Sequence, residues 1–102
     1  MEFEWDEDKR EITLRERGID FVDAVKIWKD PRRQERIDYR HHYGEKRIQT
    51  IGVSPLGLLF VVYTERVYEG GVEVIRIISV RKASKKEKRD YETMTFHARL
   101  IQ

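Results

Sequence analysis

The feature that most constrains the fold is a pair of apolar segments joined by two glycines. GLLFVVYTER (57–66) and VEVIRIISVR (72–81) are rich in Val, Ile and Leu, and EGG (69–71) lies between them. Such segments are typical of β-strands, and a short Gly-containing link between them predicts a hairpin. RIQTIGV (47–53) precedes the turn signal SPLG (54–57) and predicts a third strand. The sequence therefore predicts an antiparallel meander of three successive strands.

Helices are predicted on the N-terminal side of this meander. Asp6 can cap a first helix from Glu7 to Arg17, and Gly18 can end that helix in the left-handed conformation. Asp20 can cap a second helix, which should end at Asp30 because the residue before a proline disfavours helical geometry. The apolar residues of the second helix have helical spacing and are predicted to face the core: Phe21, Ala24, Val25 and Trp28.

Shorter signals complete the expected secondary structure. MEFEW (1–5) predicts a short edge strand, and the weak alternation in RQERIDYRHHY (33–43) is compatible with an outer strand. Ser84 and Glu87 have the spacing of a capping box, which predicts a third helix from about Lys85 to Glu92. The tail, residues 93–102, is too apolar for a solvated end, so it should pack on the domain or on a partner; its role is open.

The length of the chain suits one hydrophobic core, so we expect a single domain over residues 1–102. The expected class is α+β: an antiparallel sheet, with a meander of three to four strands plus a short N-terminal strand, packed against two N-terminal helices and a C-terminal helix. The sequence has no Cys, its N-terminus is acidic, and its longest apolar segment is far shorter than the roughly 20 residues of a membrane-spanning helix. Disulfides are thus excluded, and the expected location is the cytoplasm.

Charge is distributed unevenly along the chain. Residues 1–30 hold six Lys and Arg against ten Asp and Glu, a net charge of −4, whereas residues 31–102 hold fifteen against nine, a net charge of +6. The basic part indicates an anionic partner, most simply nucleic acid. The alternative is that KASKKEKRDYE (82–92) is only the solvated face of a helix.

One arginine, Arg76, lies inside the apolar segment VEVIRIISV. A buried cation is costly unless it is paired or placed where an anion binds. Two interpretations follow from the residues alone: a structural ion pair with a carboxylate of a neighbouring strand, such as Glu65, or a binding site for an anion.

Metal ligation is not expected. His41 and His42 are adjacent, so on a strand they would point to opposite faces, and no Asp or Cys completes a set at metal-ligand spacing. We therefore expect neither a metal nor another cofactor.

Four segments carry a resemblance to a known family: FEWDEDK (3–9), RERGIDFVDAVKIWKDP (15–31), LLFVVYTER (58–66) and RIISVRKASKKEKRDYE (76–92). Together and in this order, they resemble BrnT-type toxins, the ribonuclease half of bacterial type II toxin–antitoxin pairs. The resemblance implies a RelE-like fold and a metal-independent endoribonuclease that cleaves RNA by attack of its 2′-hydroxyl and so inhibits translation and growth. It also implies neutralisation by a BrnA-type antitoxin that binds DNA as part of an autoregulatory complex.

RNA cleavage without a metal needs a group that stabilises the extra charge on phosphorus, and the arginine fork suits this task. The candidate catalytic residues on the two hairpin strands are Glu65, Arg66, Arg76 and Arg81. Strict alternation would put Arg76 and Arg81 on opposite faces unless a bulge intervenes. Glu65 is either a general base or a residue that orients an arginine. The candidate RNA-binding residues are Lys82, Lys85, Lys86, Arg89 and Tyr91.

For Tyr91 the alternative is simple packing of the third helix on the sheet. Two other functions compete with the ribonuclease. The chain could be a non-catalytic module that binds RNA or DNA through the same basic segment, or a structural partner subunit in which Arg76 is an internal ion pair.

Overall fold

The chain forms a five-stranded sheet, to which residues 34–82 contribute four strands and the N-terminal segment contributes one. The structure is a computed structural model that describes residues 1–39 and 44–98. The strands are β1 (Glu2–Trp5), β2 (Gln34–Asp38), β3 (Arg47–Ser54), β4 (Gly57–Tyr68) and β5 (Val72–Lys82). Their spatial order is β1-β5-β4-β3-β2. The strands from β2 to β5 form the predicted antiparallel meander, and β1 is an edge strand that pairs in parallel with β5.

The helices begin where their capping residues predict. They are α1 (Glu7–Arg17), α2 (Phe21–Ala24) and α3 (Lys85–Thr93), with 3-10 turns at Val25–Lys29, Glu69–Gly71 and Phe96–Ala98. Asp6 accepts a hydrogen bond from the backbone N–H of Asp8 at 2.9 Å, and Gly18 has a φ of 69°, as a left-handed C-cap requires. The predicted capping box of Ser84 and Glu87 is present at the start of α3.

The second helix differs from its prediction. Its first turn is α-helical, but Val25–Lys29 winds as a 3-10 helix with about three residues per turn. Phe21 and Ala24 are buried as predicted, and in the 3-10 segment Ile27 is buried. Val25 and Trp28, predicted as core, are only half-buried and pack against the core. This segment crosses β3 closely, because a Cβ added at Gly52 would lie 2.9 Å from Ile27 Cβ.

A bulge in β5 changes which side chains share a face. Tyr63 pairs with Ile77 but Val62 pairs with Ser79, so Ile78 is an extra residue on β5. Beyond it, Val80 joins Ile77 in the core, as their burial shows. The strict alternation considered for β5 is therefore wrong after Ile77, and Arg81 lies on the same face as Arg76.

The two faces of the sheet carry different layers. The first, here called the helical face, packs against α1, α2 and the 3-10 turn that follows, and it holds the larger core. That core includes Ile19, Phe21, Ala24, Ile27, Ile48, Leu59, Val61, Tyr63, Ile77 and Val80. The opposite face is covered at one end by α3 and the Phe96–Ala98 turn, around Ile51, Phe60 and Phe96. The rest of the opposite face carries polar and charged side chains.

The sequence predicts that the tail packs on the domain or on a partner, and its described part packs on the domain through Phe96. Phe96 is fully buried and meets Phe60 edge to face, with ring centroids 6.3 Å apart. Gln34 fixes it, since its amide oxygen accepts the backbone N–H of Phe96 at 3.1 Å and its amide nitrogen donates to the carbonyl of Tyr91 at 3.0 Å. Leu100 and Ile101 lie outside the described residues.

Within the described ranges, no helix is both long and apolar enough to cross a membrane.

Candidate functional site

The part of the opposite face that α3 leaves uncovered is rich in arginine. We call it the arginine face and define it by one arginine from each of β2 to β5: Arg36, Arg47, Arg66 and Arg76. Residues paired across neighbouring strands point to the same side of a sheet. The pairs Arg36 with Gln49, Asp38 with Arg47, and Thr64 with Arg76 place these side chains on one surface.

Arg76 is paired, and its partner comes from the N-terminal strand. Glu4 lies opposite Arg76 in the β1–β5 register, and Arg76 Nη1 is 2.6 Å from Glu4 Oε2. Glu65, in contrast, lies opposite Ile75 on the helical face. A pair between Arg76 and Glu65 is therefore wrong, because the register points the two side chains to opposite sides of the sheet.

Glu4 is the centre of a small hydrogen-bonded network. The Tyr68 hydroxyl lies 2.6 and 2.7 Å from the two carboxylate oxygens of Glu4, and Arg66 Nη1 lies 4.0 Å from Oε2. The hydrogen bond from Tyr68 lowers the pKa of Glu4, and Arg76 and Arg66 lower it further against the opposing effect of burial. Glu4 is consequently ionised at neutral pH.

Arg66 is held more loosely than Arg76. Its Nη2 is 3.6 Å from Glu45 Oε2, so both of its ion pairs are longer than a hydrogen bond. The hydrogen bond with Tyr68 nevertheless raises the pKa of Arg66. Its side chain is 40% exposed, against 26% for Arg76. Of the predicted catalytic residues, the structure therefore brings together Arg66 and Arg76.

A second polar network continues the arginine face toward β2. Arg36 Nε donates to Gln49 Oε1 at 2.9 Å, and Gln49 Nε2 donates to Asp38 Oδ2 at 3.0 Å. Gln49 is almost completely buried, so this chain of hydrogen bonds satisfies its amide. The guanidinium of Arg36 lies 4.0 Å from the centroid of the Phe96 ring.

Arg81 is on the same side of the sheet but at its other end, beside α3. Its Nη1 and Nη2 donate to the two carboxylate oxygens of Glu87, both at 2.8 Å. Glu87 also accepts the backbone N–H of Ser84 at 2.8 Å, within the capping box. Burial opposes ionisation of Glu87, but Arg81 and the Ser84 N–H outweigh it and lower its pKa. The guanidinium carbon of Arg81 lies 3.9 Å from the centroid of the Phe60 ring.

The other predicted RNA-binding residues separate into two groups. Four are exposed at the end of β5 and along α3, and we call them the basic strip: Lys82, Lys85, Lys86 and Arg89. Tyr91 does not share this environment. Its ring packs against the Ile51 cluster and its hydroxyl donates to Asp30 Oδ2 at 2.6 Å. Burial and this hydrogen bond raise the pKa of Tyr91 to about 12.

Four residues of the arginine face were missed from the sequence: Glu4, Arg36, Arg47 and Tyr68. The alternation in RQERIDY and RIQ could have indicated Arg36 and Arg47. Once the two strands are known to be neighbours, it predicts that both arginines point to the same face of the sheet. Glu4 had no such signal, because its role depends on the parallel pairing of β1 with β5.

His41 and His42 lie outside the described residues. Over 1–39 and 44–98, no three His, Cys, Asp or Glu residues are grouped as metal ligands would be.

Most of the chain matches a known protein family. Residues 5–87 match the family described as "Ribonuclease toxin, BrnT, of type II toxin-antitoxin system". The matched range contains Arg66, Arg76 and Arg81, whereas Glu4 and Arg89 lie just outside it. A comparison with curated proteins gave no match. Because the match covers most of the chain, it confirms the resemblance, and the protein belongs to the BrnT family of ribonuclease toxins of type II toxin–antitoxin systems.

Proposed function

We propose that the protein cleaves RNA on the arginine face, without a metal, by attack of the 2′-hydroxyl on the adjacent phosphorus. The observation that carries this proposal is that Arg66 and Arg76, from neighbouring strands, lie next to the same carboxylate, Glu4. Two guanidinium groups brought to one carboxylate can also serve one phosphate, since both anions suit the arginine fork. Glu4 then acts as the residue that positions the two cations.

The proposed reaction needs charge stabilisation more than a strong base. The 2′-oxygen bonds to phosphorus and gives up its proton to water, while the bond from phosphorus to the 5′-oxygen breaks and that oxygen takes a proton from water. Negative charge builds up on the non-bridging oxygens, where Arg66 and Arg76 stabilise it. Arg66 suits this role because its two ion pairs are long and leave donors that can turn toward phosphate. The products are a 2′,3′-cyclic phosphate and a 5′-hydroxyl.

Glu65 has no part in this mechanism. A general base must lie within hydrogen-bond reach of the 2′-hydroxyl, and Glu65 is on the helical face of the sheet. The basic strip, in contrast, extends the positive surface past the end of β5. We assign to it the binding of phosphates that flank the cleaved bond, which positions the RNA without taking part in the chemistry.

Labelled RNA incubated with the protein in the presence of a chelator tests the proposal. Cleavage that leaves 2′,3′-cyclic phosphate ends, and that is lost in Arg76→Ala, is the expected result. Retention of RNA without cleavage would support a non-catalytic binding module instead. Neither retention nor cleavage would support a structural partner subunit.

Family membership implies RNA as the target and an antitoxin as the partner. We propose further that the antitoxin is of the BrnA type, that the pair acts in the cytoplasm, and that the antitoxin covers the surface from Arg76 to Arg89. This surface combines the basic strip with the arginine face, so its occupation would block RNA directly. Hydrogen exchange of the free toxin and of the complex should show added protection over residues 76–89, and unchanged protection there would place the antitoxin elsewhere.

A further inference from the structure

Arg81 differs from the arginines of the proposed catalytic site in both place and environment. It lies five positions after Arg76 on β5, with one bulge residue between them. At about 3.4 Å per strand residue, the two backbone positions are roughly 14 Å apart. Arg81 therefore does not reach the phosphate that Arg66 and Arg76 would bind, and its neighbours must indicate what it does.

The edge of the Arg81 guanidinium is already occupied. Both terminal nitrogens donate to Glu87 at 2.8 Å, and Nη1 also donates to the carbonyl of Lys82 at 3.1 Å. The paired donors that would grip a phosphate bidentately are thus bound to a carboxylate, which also neutralises the charge. A role as a phosphate clamp is disfavoured by this pairing.

The plane of the guanidinium, in contrast, is fixed and partly exposed. One face lies on the Phe60 ring at 3.9 Å, a van der Waals contact, and the two hydrogen bonds to Glu87 prevent rotation in the plane. Glu87 is itself held by the Ser84 N–H, and its side chain is only 11% exposed. The Arg81 side chain remains 42% exposed. With its edge bound to Glu87 and one side on Phe60, the guanidinium has its other side left as a flat, delocalised surface.

Flat guanidinium planes and aromatic rings are the surfaces on which proteins stack unpaired nucleobases. We propose that Arg81, supported by Phe60 and held by Glu87, is a stacking platform for a base of single-stranded RNA next to the cleaved bond. The inference rests on the proposed function and adds to it a binding subsite for a nucleobase. The platform lies beside the basic strip, because Glu87, which holds Arg81, is in the same first turn of α3 as Lys85 and Lys86.

An abasic scan tests the platform. A set of single-stranded RNA substrates with one cleavage site, each lacking the base at one position, is cut by the wild-type protein under single-turnover conditions. Loss of the stacked base should slow cleavage by about 10-fold or more at one position beside the cleaved bond. Arg81→Lys keeps the charge and one contact with Glu87 but lacks the plane, so it should cut the intact and that abasic RNA at nearly equal rates.

Arg32→Lys is the matched control, because the Arg32 guanidinium also lies over a ring, that of Tyr91, at the longer distance of 5.8 Å. This variant should keep the full abasic penalty. RNA carrying the fluorescent base 2-aminopurine at the sensitive position gives a second measurement: its fluorescence should be quenched on binding to wild type and much less on binding to Arg81→Lys.

The outcomes separate the two proposals. If wild type cuts RNA but shows no position-specific abasic penalty, or if Arg81→Lys retains that penalty, the platform is refuted and the proposed cleavage stands. If wild type binds RNA without cutting it, the proposed function fails, and 2-aminopurine placed at each position of the RNA in turn still decides on the platform. The wild-type scan needs no variant, so the absence of a position-specific penalty refutes the platform even if Arg81→Lys folds poorly.

Discussion

Arg76 on β5 and Glu4 on β1 form an ion pair of 2.6 Å, and both side chains remain about one quarter exposed. The salt bridge is thus not buried, and Arg76 is not an unpaired cation. The parallel register between the two strands sets it, and the Tyr68 hydroxyl donates a hydrogen bond to the same carboxylate. A phosphate that approaches from solvent can therefore reach Arg76 while Glu4 keeps the guanidinium in place.

Replacement of Arg76 by alanine should slow RNA cleavage strongly but lower the stability of the fold only slightly. Loss of one transition-state donor typically slows a reaction by about 100-fold or more. Glu4 keeps its contacts with Tyr68 and Arg66 and is partly hydrated, so the free energy of unfolding should fall by only about 1 kcal/mol. Single-turnover cleavage and urea denaturation of the same protein measure the two effects.

Arg15→Ala, at an exposed position of α1, serves as the control and should change neither quantity. A folded Arg76→Ala protein that cuts RNA at the wild-type rate would remove Arg76 from the mechanism.

Substitution of Glu65 tests the assignment of faces. Glu65→Gln should cleave RNA at the wild-type rate, because the side chain lies opposite Ile75 on the helical face and away from Arg66 and Arg76. Single-turnover rates of this variant and of Glu4→Gln can be compared directly. A large loss in Glu65→Gln with normal stability would mean that RNA reaches the other side of the sheet.

The meander of β3, β4 and β5 and the starts of the helices could be predicted from the sequence because they depend on local signals. Periodicity, turn residues and caps such as Asp6 and Ser84 act over a few residues. The bulge at Ile78 and the pairing of Glu4 with Arg76 could not be predicted, since no local signal fixes the register of paired strands, and Glu4 and Arg76 are 72 residues apart in sequence. One bulge residue was enough to move Arg81 to the same face as Arg76, and one parallel strand replaced the expected partner of Arg76.

The low pKa of Glu4 predicts how acid should affect the folded protein. The ionised form of Glu4 stabilises the fold above its ordinary pKa of 4.5, and this contribution is lost as the pH falls from there through the lowered folded-state pKa. Glu4→Gln should thus be less stable than wild type at neutral pH, and the difference should shrink below about pH 4.5. Urea denaturation midpoints from neutral pH to about pH 3 measure this.

Several other carboxyl groups also have lowered pKa values, among them Asp20 and Glu87, so wild type and variant will both lose stability in acid. Only the difference between them reports on Glu4. Glu73→Gln, at an exposed position of β5, is the control, and its stability should change with pH in the same way as that of wild type. A difference between Glu4→Gln and wild type that stays constant with pH would contradict the assigned network.

Tyr91→Phe separates a structural role from RNA binding. The variant loses the 2.6 Å hydrogen bond to Asp30 and should lower the free energy of unfolding by about 1–2 kcal/mol, with RNA affinity unchanged. Tyr39→Phe, at an exposed position, should leave stability unchanged. Reduced RNA affinity in a fully folded Tyr91→Phe protein would return Tyr91 to the RNA-binding residues.

The basic strip should be visible in the salt dependence of RNA binding. Each phosphate contact by a lysine contributes about −0.7 to the slope of log affinity against log salt for single-stranded nucleic acid. Replacement of Lys85 and Lys86 by alanine should therefore reduce the slope by roughly 1.4, while the rate of bond cleavage at saturating RNA stays near that of wild type. Replacement of Lys9 and Lys29, which are exposed in the acidic N-terminal part, removes the same charge as a control and should leave the slope unchanged. If both double variants reduce the slope equally, RNA senses only the net charge of the protein and is not held by the basic strip.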